Sequence, residues 1–329
     1  MDFLWTDFMG TALWMWLAFL ALVFFLLALD LGLLHKQSKE IGIRESFLLS
    51  AFYIALGVAF GGFVWWQSGQ QAGLEYLTGF VVEKSLAMDN IFIIAMIFGT
   101  FAIPRAYQHR VLLYGILGVI ILRGIMIAAG AAVVENYHWV LYLFAGFLVI
   151  TGIKMLFAAD KEYDVESHPF LKLLRRYLPI TKELHGEKFI ASEADPVTGK
   201  VRRAVTPLFL ALVMVELADL VFAVDSIPAV FAITTDPFIV YTSNIFAILG
   251  LRALYFALSA LISRFVYLKY ALSVVLIFIG SKIFLADMLG IAKIPPVLSL
   301  SITLGILAAG ILGSLWATRE KIGEAPRQS

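Results

Sequence analysis

Apolar residues in this chain run in long blocks instead of alternating with polar ones at a period of 2 or 3.6. Nine blocks, at about 11–34, 46–66, 74–103, 110–134, 136–158, 205–233, 238–262, 267–289 and 294–317, are long enough to cross a hydrocarbon core as helices. Helices apolar all round are covered by lipid or by each other. The pattern predicts an all-α polytopic membrane protein, one transmembrane domain over residues 1–329, with nine spans. The opening MDFLWTDFMGTA has acids but no basic segment, so it does not read as a cleavable signal and the first helix is expected to stay.

The polar positions orient the layout. Lysine and arginine crowd every second loop: Lys36, Lys39 and Arg44, then Arg105 and Arg110, then a cluster from Lys161 to Arg203, then Arg264 and Lys269, then Arg319, Lys321 and Arg327. The loops of the opposite side hold Lys293 alone. By the positive-inside rule the N-terminus lies outside and the C-terminus in the cytoplasm. Trp65, Trp66, Trp139 and Trp316 fall at span ends, where amphipathic indoles settle. One cytoplasmic loop, 159–204, is long. Its HPFLKLLRRYLP sets Phe170, Leu171, Leu174 and Leu178 beside Lys172, Arg175 and Arg176, which predicts a basic amphipathic helix over 168–178 lying on the inner leaflet. KFIASEADPVTGKVRRA, with Asp-Pro…Gly between short apolar runs, predicts a hairpin. The loop reads equally as a regulatory or partner surface and as a linker between two halves.

Composition agrees with the pattern: 61% of residues are hydrophobic, 15% are charged, and mean hydropathy is +0.90, outside the range of soluble domains. The absence of cysteine excludes disulfides, thiolate metal sites and thiol catalysis. No H-E-x-x-H motif, Ser-His-Asp pattern, phosphate-cradling loop, dinucleotide fingerprint or haem-ligating histidine pair occurs, so neither an enzyme nor a resident cofactor is expected. The bilayer is the expected environment, and nucleic acid is not an expected partner.

What the hydrophobic pattern cannot explain is the charge inside it. EKSLAMDNI at 83–91 in the third span aligns with DLVFAVDSI at 219–227 in the sixth, matching Glu83 to Asp219, Asp89 to Asp225 and Asn90 to Ser226. Further on, ILRGIMI aligns with GLRALYF, and GIKML with GSKIF, so Arg123 matches Arg252 and Lys154 matches Lys282. Residues 74–158 and 205–289 are thus two copies of a three-helix unit. The third span runs inward and the sixth outward, so spans 3–5 and 6–8 form an inverted-topology repeat, with a site expected near the midplane between them.

An isolated charge at the bilayer centre costs at least about 2.5–3.5 kcal/mol, so Asp30, Glu83, Asp89, Glu216, Asp219 and Asp225 must be protonated, paired or bound to a cation. Arg123, Arg252, Lys154 and Lys282 are assigned mainly to structural ion pairs. Residues seven apart share a helix face, whereas Asp89 and Asp225 point about 120° from Glu83 and Asp219 on an unbroken helix. Pro228, which lacks an N–H and opposes the carbonyl of Val224, is expected to break the sixth span at Asp225-Ser226 and swing the acids together. The resulting oxygen set has Asp89 and Asp225 at its centre, with Asn90, Glu83, Asp219 and Glu216 completing or surrounding it. Such a set suits a hard divalent cation, and Met88 could add a softer ligand. Carboxylates crowded in a dry site hold protons until a cation displaces them, which couples metal to proton exchange.

EKSLAMDN, the stretch from VELADLVFAVDSIPAV to GLRALYF, and FIGSKIF resemble the TerC family of bacterial integral membrane proteins, with a pattern closest to its Alx-type branch. The similarity extends from LDLGLL in the first span to about residue 290. It implies a place in the bacterial inner membrane and a part in manganese homeostasis and efflux, in a family named for tellurite resistance, and it places the acids above in the family's intramembrane motifs. Two functions remain open on the residues: a transporter exporting Mn(II), and a membrane partner of a metal-loading, stress-response or secretion complex that transports nothing itself.

Overall fold

The computed structural model describes residues 2–32, 42–157, 169–181, 183–194, 201–258, 267–290 and 294–323; the side chains of Asp30 and Asp89 are outside the described set. A short strand pair, β1 (Asp7–Phe8) and β2 (Thr11–Ala12), leads into α1 (Leu13–Gly32). The remaining apolar blocks form α2 (Ile43–Ser68), α3 (Gln70–Thr100), α4 (Arg105–Asn136), α5 (Val140–Phe157), α7 (Pro207–Phe231), α8 (Pro237–Leu249), α9 (Leu251–Leu258), α10 (Leu268–Met288) and α11 (Pro296–Gly323). Among the described residues, 7 helical stretches are long and apolar enough to cross a membrane, α8 and α9 together counting as one, and Leu13–Leu29 is a shorter apolar helix. α3 falls outside that group because Glu75, Glu83, Lys84 and Asp89 punctuate it. Ile121, Ile125, Leu143, Phe157, Leu312 and Trp316 stay exposed, as lipid-facing positions should. The chain is a multi-pass membrane protein.

The centre of the bundle is α8, whose residues from Phe238 to Leu249 are all buried. Its start is set locally: Asp236 precedes Pro237, and its Oδ1 accepts from the N–H groups of Phe238 (2.9 Å) and Ile239 (3.3 Å). Burial lifts the Asp236 carboxyl above the usual carboxylate range, against the pull of those two donors. Aromatic side chains then fasten α1 and α2 to α8. Phe60 and Phe19 meet Phe246 at 4.7 and 5.6 Å between ring centroids, edge-on or tilted as ring quadrupoles prefer.

The expected break in the sixth span is absent. α7 continues through Pro228, with the Ala232 N–H bonded to the Pro228 carbonyl at 2.9 Å. Residues Ser226 to Phe231 are all buried, so packing holds the helix in shape across the missing N–H. The break lies instead in the seventh span, at Gly250 between α8 and α9. The Lys84 ammonium crosses from α3 and donates to the carbonyl of Ala247 at 2.8 Å, satisfying one of the acceptors that a helix end leaves free. A Cβ on Gly250 would stand 2.9 Å from that Nζ, so glycine is what allows the lysine in.

α5 and α10 pack through glycine. A Cβ on Gly152 would stand 2.7 Å from the Ser273 carbonyl oxygen, and one on Gly280 2.6 Å from the Ala145 carbonyl oxygen. These contacts are images of each other under the sequence shift that aligns Lys154 with Lys282. Small residues at such a crossing let backbones approach closely.

The described part of the loop between the halves is docked onto the protein. α6 (Pro169–Tyr177) buries Leu171 completely, and Leu174 packs on the same core, so its apolar face is turned to protein and not to the leaflet as the sequence suggested. An amphipathic stripe specifies an apolar neighbour, not which one. The predicted hairpin is present as β3 (Ile190–Ala194) paired antiparallel with β4 (Val201–Val205). Thr206 ties it to the start of α7, its Oγ1 donating to the Lys188 carbonyl at 2.7 Å. Arg110 of α4 pairs with Glu187 at 3.0 Å and lies over the Phe189 ring.

Candidate cation site

Arg123 of α4 is 1% exposed and gathers acceptors from three other helices. It holds Asp219 of α7 with two donors, Nε to Oδ2 at 3.1 Å and Nη2 to Oδ1 at 2.9 Å. Its Nη1 pairs with Glu83 Oε1 of α3 and donates to Asn244 Oδ1 of α8 at 2.6 Å and Ser226 Oγ at 3.3 Å. A planar guanidinium with five donors can serve such a ring of acceptors; an ammonium cannot. Glu83 and Asp219, both expected among the cation ligands, are therefore bound to arginine. Asn244 was not singled out in the sequence. Its signal is an amide inside an apolar block: the neighbouring Thr242 and Ser243 hydroxyls bond carbonyls of their own helix, whereas the Asn244 side chain needs a partner from another one.

The described site residues divide between two cavities. The larger, about 450 Å³, brings Glu83 and Asn90 of α3 together with Asp225 and Ser226 of α7, closed on the far side by Thr151 of α5. Thr151 Oγ1 lies 3.5 Å from Asp225 Oδ1. The smaller, about 20 Å³, is lined by Asn90, Asp219 and Arg252 and has room for one water. Asn90 borders both. Because α7 is unbroken, Asp219 and Asp225 keep different azimuths: one turns to Arg123, the other into the large cavity. Asp89 follows Met88 in α3, one residue before Asn90, and its side chain is outside the described residues.

Glu216 stands apart. Its carboxylate packs over Gly118 of α4, so closely that a Cβ there would overlap it, and it lines neither cavity. Lys154, expected in an ion pair, has no carboxylate partner among the described residues and lies exposed at the rim of the large cavity, where the end of α5 lets an ammonium reach water. Lys282 is buried beside another cavity, about 370 Å³, that Glu75 and Asp287 also line.

Among the described residues of this region, three acceptor oxygens have no donor: Glu83 Oε2, Asn90 Oδ1 and Glu216 Oε2. Buried acceptors are normally satisfied, so each marks a place for a proton, a water or a cation. Among the described residues no three Asp, Glu or His side chains converge into a ready metal cage. What the site offers is a half-shell: Asp225, Asn90 and Glu83 line one space, which the cationic side chains of Arg123, Lys154 and Lys269 also border.

Fold and site together define a polytopic α-helical membrane protein with a charged centre. Residues 68–322 match the model of the integral membrane protein TerC family, and the chain belongs to that family. It is 46% identical over 305 residues to the "Uncharacterized membrane protein STKORF319" of Myxococcus xanthus, covering 93% of each chain. It is 42% identical over 319 residues to the "Putative membrane-bound redox modulator Alx" of Photorhabdus laumondii, covering 94% of this chain and 97% of the relative. The protein of the same description from Salmonella typhi is 40% identical over 321 residues, at 95% and 97% coverage. No solved structure matches.

Proposed function

We propose that this protein exports divalent metal ions, Mn(II) foremost, from the bacterial cytoplasm in exchange for protons, with its N-terminus outside. The observation that carries the reading is the cavity of about 450 Å³ where Asp225, Asn90 and Glu83 converge from two helices while Glu83 Oε2 and Asn90 Oδ1 lack donors. An all-oxygen set favours Mg, Ca or Mn over zinc or copper. Asp225 is the central described ligand, and Asp89 is assigned with it. Asn90 completes the shell, Glu83 contributes the oxygen that Arg123 leaves free, and Asp219 and Glu216 surround it. The choice of manganese rests on the resemblance described above. A redox function of the kind named in the relatives would have to run without thiols, since the chain has no cysteine.

The test is flux by the purified protein in liposomes loaded with Mn(II), compared with Mg(II), Ca(II) and Zn(II). Flux of Mn(II) that rises with an opposing proton gradient is expected. Asp225→Asn, which keeps shape and removes charge, is expected to abolish it in a folded protein. Undiminished flux through a folded Asp89→Asn, Asp225→Asn double variant would refute the site. No flux at all by the parent protein would favour a partner role without transport.

A further inference from the structure

The two large cavities occupy the same four helices in the same order. On α3, Thr78 lines the 370 Å³ cavity and Glu83 the 450 Å³ cavity; on α7 the corresponding residues are Phe231 and Ser226. On α5 they are Tyr142 and Thr151, and on α10 Lys282 and Leu276. Between each pair lies a residue of one apolar cluster: Val82, Ala229, Leu148 and Ile279, each 0% exposed. At 1.5 Å of rise per residue, the steps between cavities on the four helices measure about 7–14 Å.

We infer that these cavities are the two ends of one translocation path, running between α3 and α7 on one side and the α5–α10 pair on the other, and that Val82, Leu148, Ala229 and Ile279 are its dry gate. The inference rests on the proposed export of a divalent cation and supplies its route. A divalent ion cannot cross an apolar seal of this thickness without water or ligands, so the gate must open for transport. The flanks differ in how they are held. α3 and α7 are joined through Arg123 to Glu83 and Asp219, whereas α5 and α10 are joined to each other by the reciprocal glycine contacts. Each flank contributes two gate residues, so opening is a separation of two internally rigid pairs. The Thr151–Asp225 contact at 3.5 Å crosses the seam between them. A cation bound by Asp225 takes the oxygen that faces Thr151, which loosens the seam at the moment the site fills. The 370 Å³ cavity, with Glu75 and Asp287 in its wall, is then the far-side chamber into which the ion passes.

The natural absence of cysteine makes the path directly testable. Ala229→Cys and Ile279→Cys, one from each flank, are placed separately in the full chain and reconstituted in liposomes. The probe is the membrane-impermeant cation 2-(trimethylammonium)ethyl methanethiosulfonate, with Leu143→Cys on the exposed face of α5 as control. Either gate cysteine is expected to react slowly at rest, to react about tenfold faster during Mn(II) flux as the open state gains population, and to lose flux once modified. Leu143→Cys, which faces lipid, should stay unreactive at rest and during flux, and its flux should be unchanged after exposure to the reagent. If the parent transports but both gate variants are unreactive during flux, or stay fully active after modification, the path is wrong. A parent that carries no cation overturns the transport reading and the path with it.

Discussion

Replacing Arg123 with methionine keeps most of its buried volume and removes its charge and every donor. Glu83 and Asp219 are then left facing each other in the bundle interior, and Asn244 Oδ1 and Ser226 Oγ lose a donor. Removing one partner of a buried ion pair costs about 3–5 kcal/mol, and this arginine serves two carboxylates, so about 4 kcal/mol is a lower figure for the single variant. Against a total stability of about 5–15 kcal/mol, that loss is severe. Arg123→Lys keeps the charge but offers a point donor where a fork is needed. It should lose one or two charge-assisted hydrogen bonds, about 1.5–3 kcal/mol each. Neutralising the acids tests the cause: Arg123→Met with Glu83→Gln and Asp219→Asn should recover more than half of the loss. The assay is thermal and denaturant unfolding of the purified protein in detergent, followed by size-exclusion recovery. An Arg123→Met protein within about 1 kcal/mol of the parent, or a triple variant no better than the single, would refute the electrostatic account.

Leu171→Ala in α6 should destabilise the protein by about 2–4 kcal/mol, as a core leucine does, and spin labels there should show tight protein packing in detergent without lipid; free motion would return α6 to the leaflet. Gly152→Val must push Ser273 and Ile277 aside and should cost about 1–3 kcal/mol, measured by the same unfolding assay; an unchanged midpoint would mean that α5 and α10 do not pack as described. Asp236→Ala should cost about 1 kcal/mol through loss of the α8 cap, while Asp236→Asn retains the cap. Because burial raises the Asp236 carboxyl, the folded state binds its proton more tightly than the unfolded one. The parent should therefore gain on the asparagine variant as pH falls from the raised value toward the ordinary one near about 4, and a constant difference across that window would contradict it.

The helices were legible because bilayer-length apolar runs admit few other structures, and the hairpin because its turn chemistry is local. Arg123 was readable as an ion-pair residue, since a guanidinium in an apolar block needs anions. What failed were inferences that depend on neighbours. Pro228 was read as a break, but a proline removes one hydrogen bond, and a fully packed turn tolerates that loss. The actual break at Gly250 has no proline, and its partner Lys84 comes from another helix. Lys154 matches Lys282 in the repeat, yet one reaches the rim and the other is buried, because equivalent positions near opposite ends of a bundle meet different surroundings. The acids were grouped as one shell by composition. The azimuths of an unbroken α7 divide them into a neutralised set around Arg123 and an open set around Asp225.

The spacing of the Arg123 triad along the chain also sets a timetable for synthesis. Glu83 is made 40 residues before Arg123, and Arg123 96 residues before Asp219. At about 5–20 residues per second, the first member waits about 7–27 s for the last. For the last 96 residues of that interval, about 5–19 s, α3 and α4 must sit in or beside the translocation machinery with an arginine still short of one carboxylate. Completion of α7 is thus the event that lets the earlier helices settle. Expressed as separate pieces, the residues before the central loop would leave Arg123 with Glu83 but without its paired Asp219 contacts, and those after it would carry Asp219 without its guanidinium. Both should be degraded unless they meet in the same membrane.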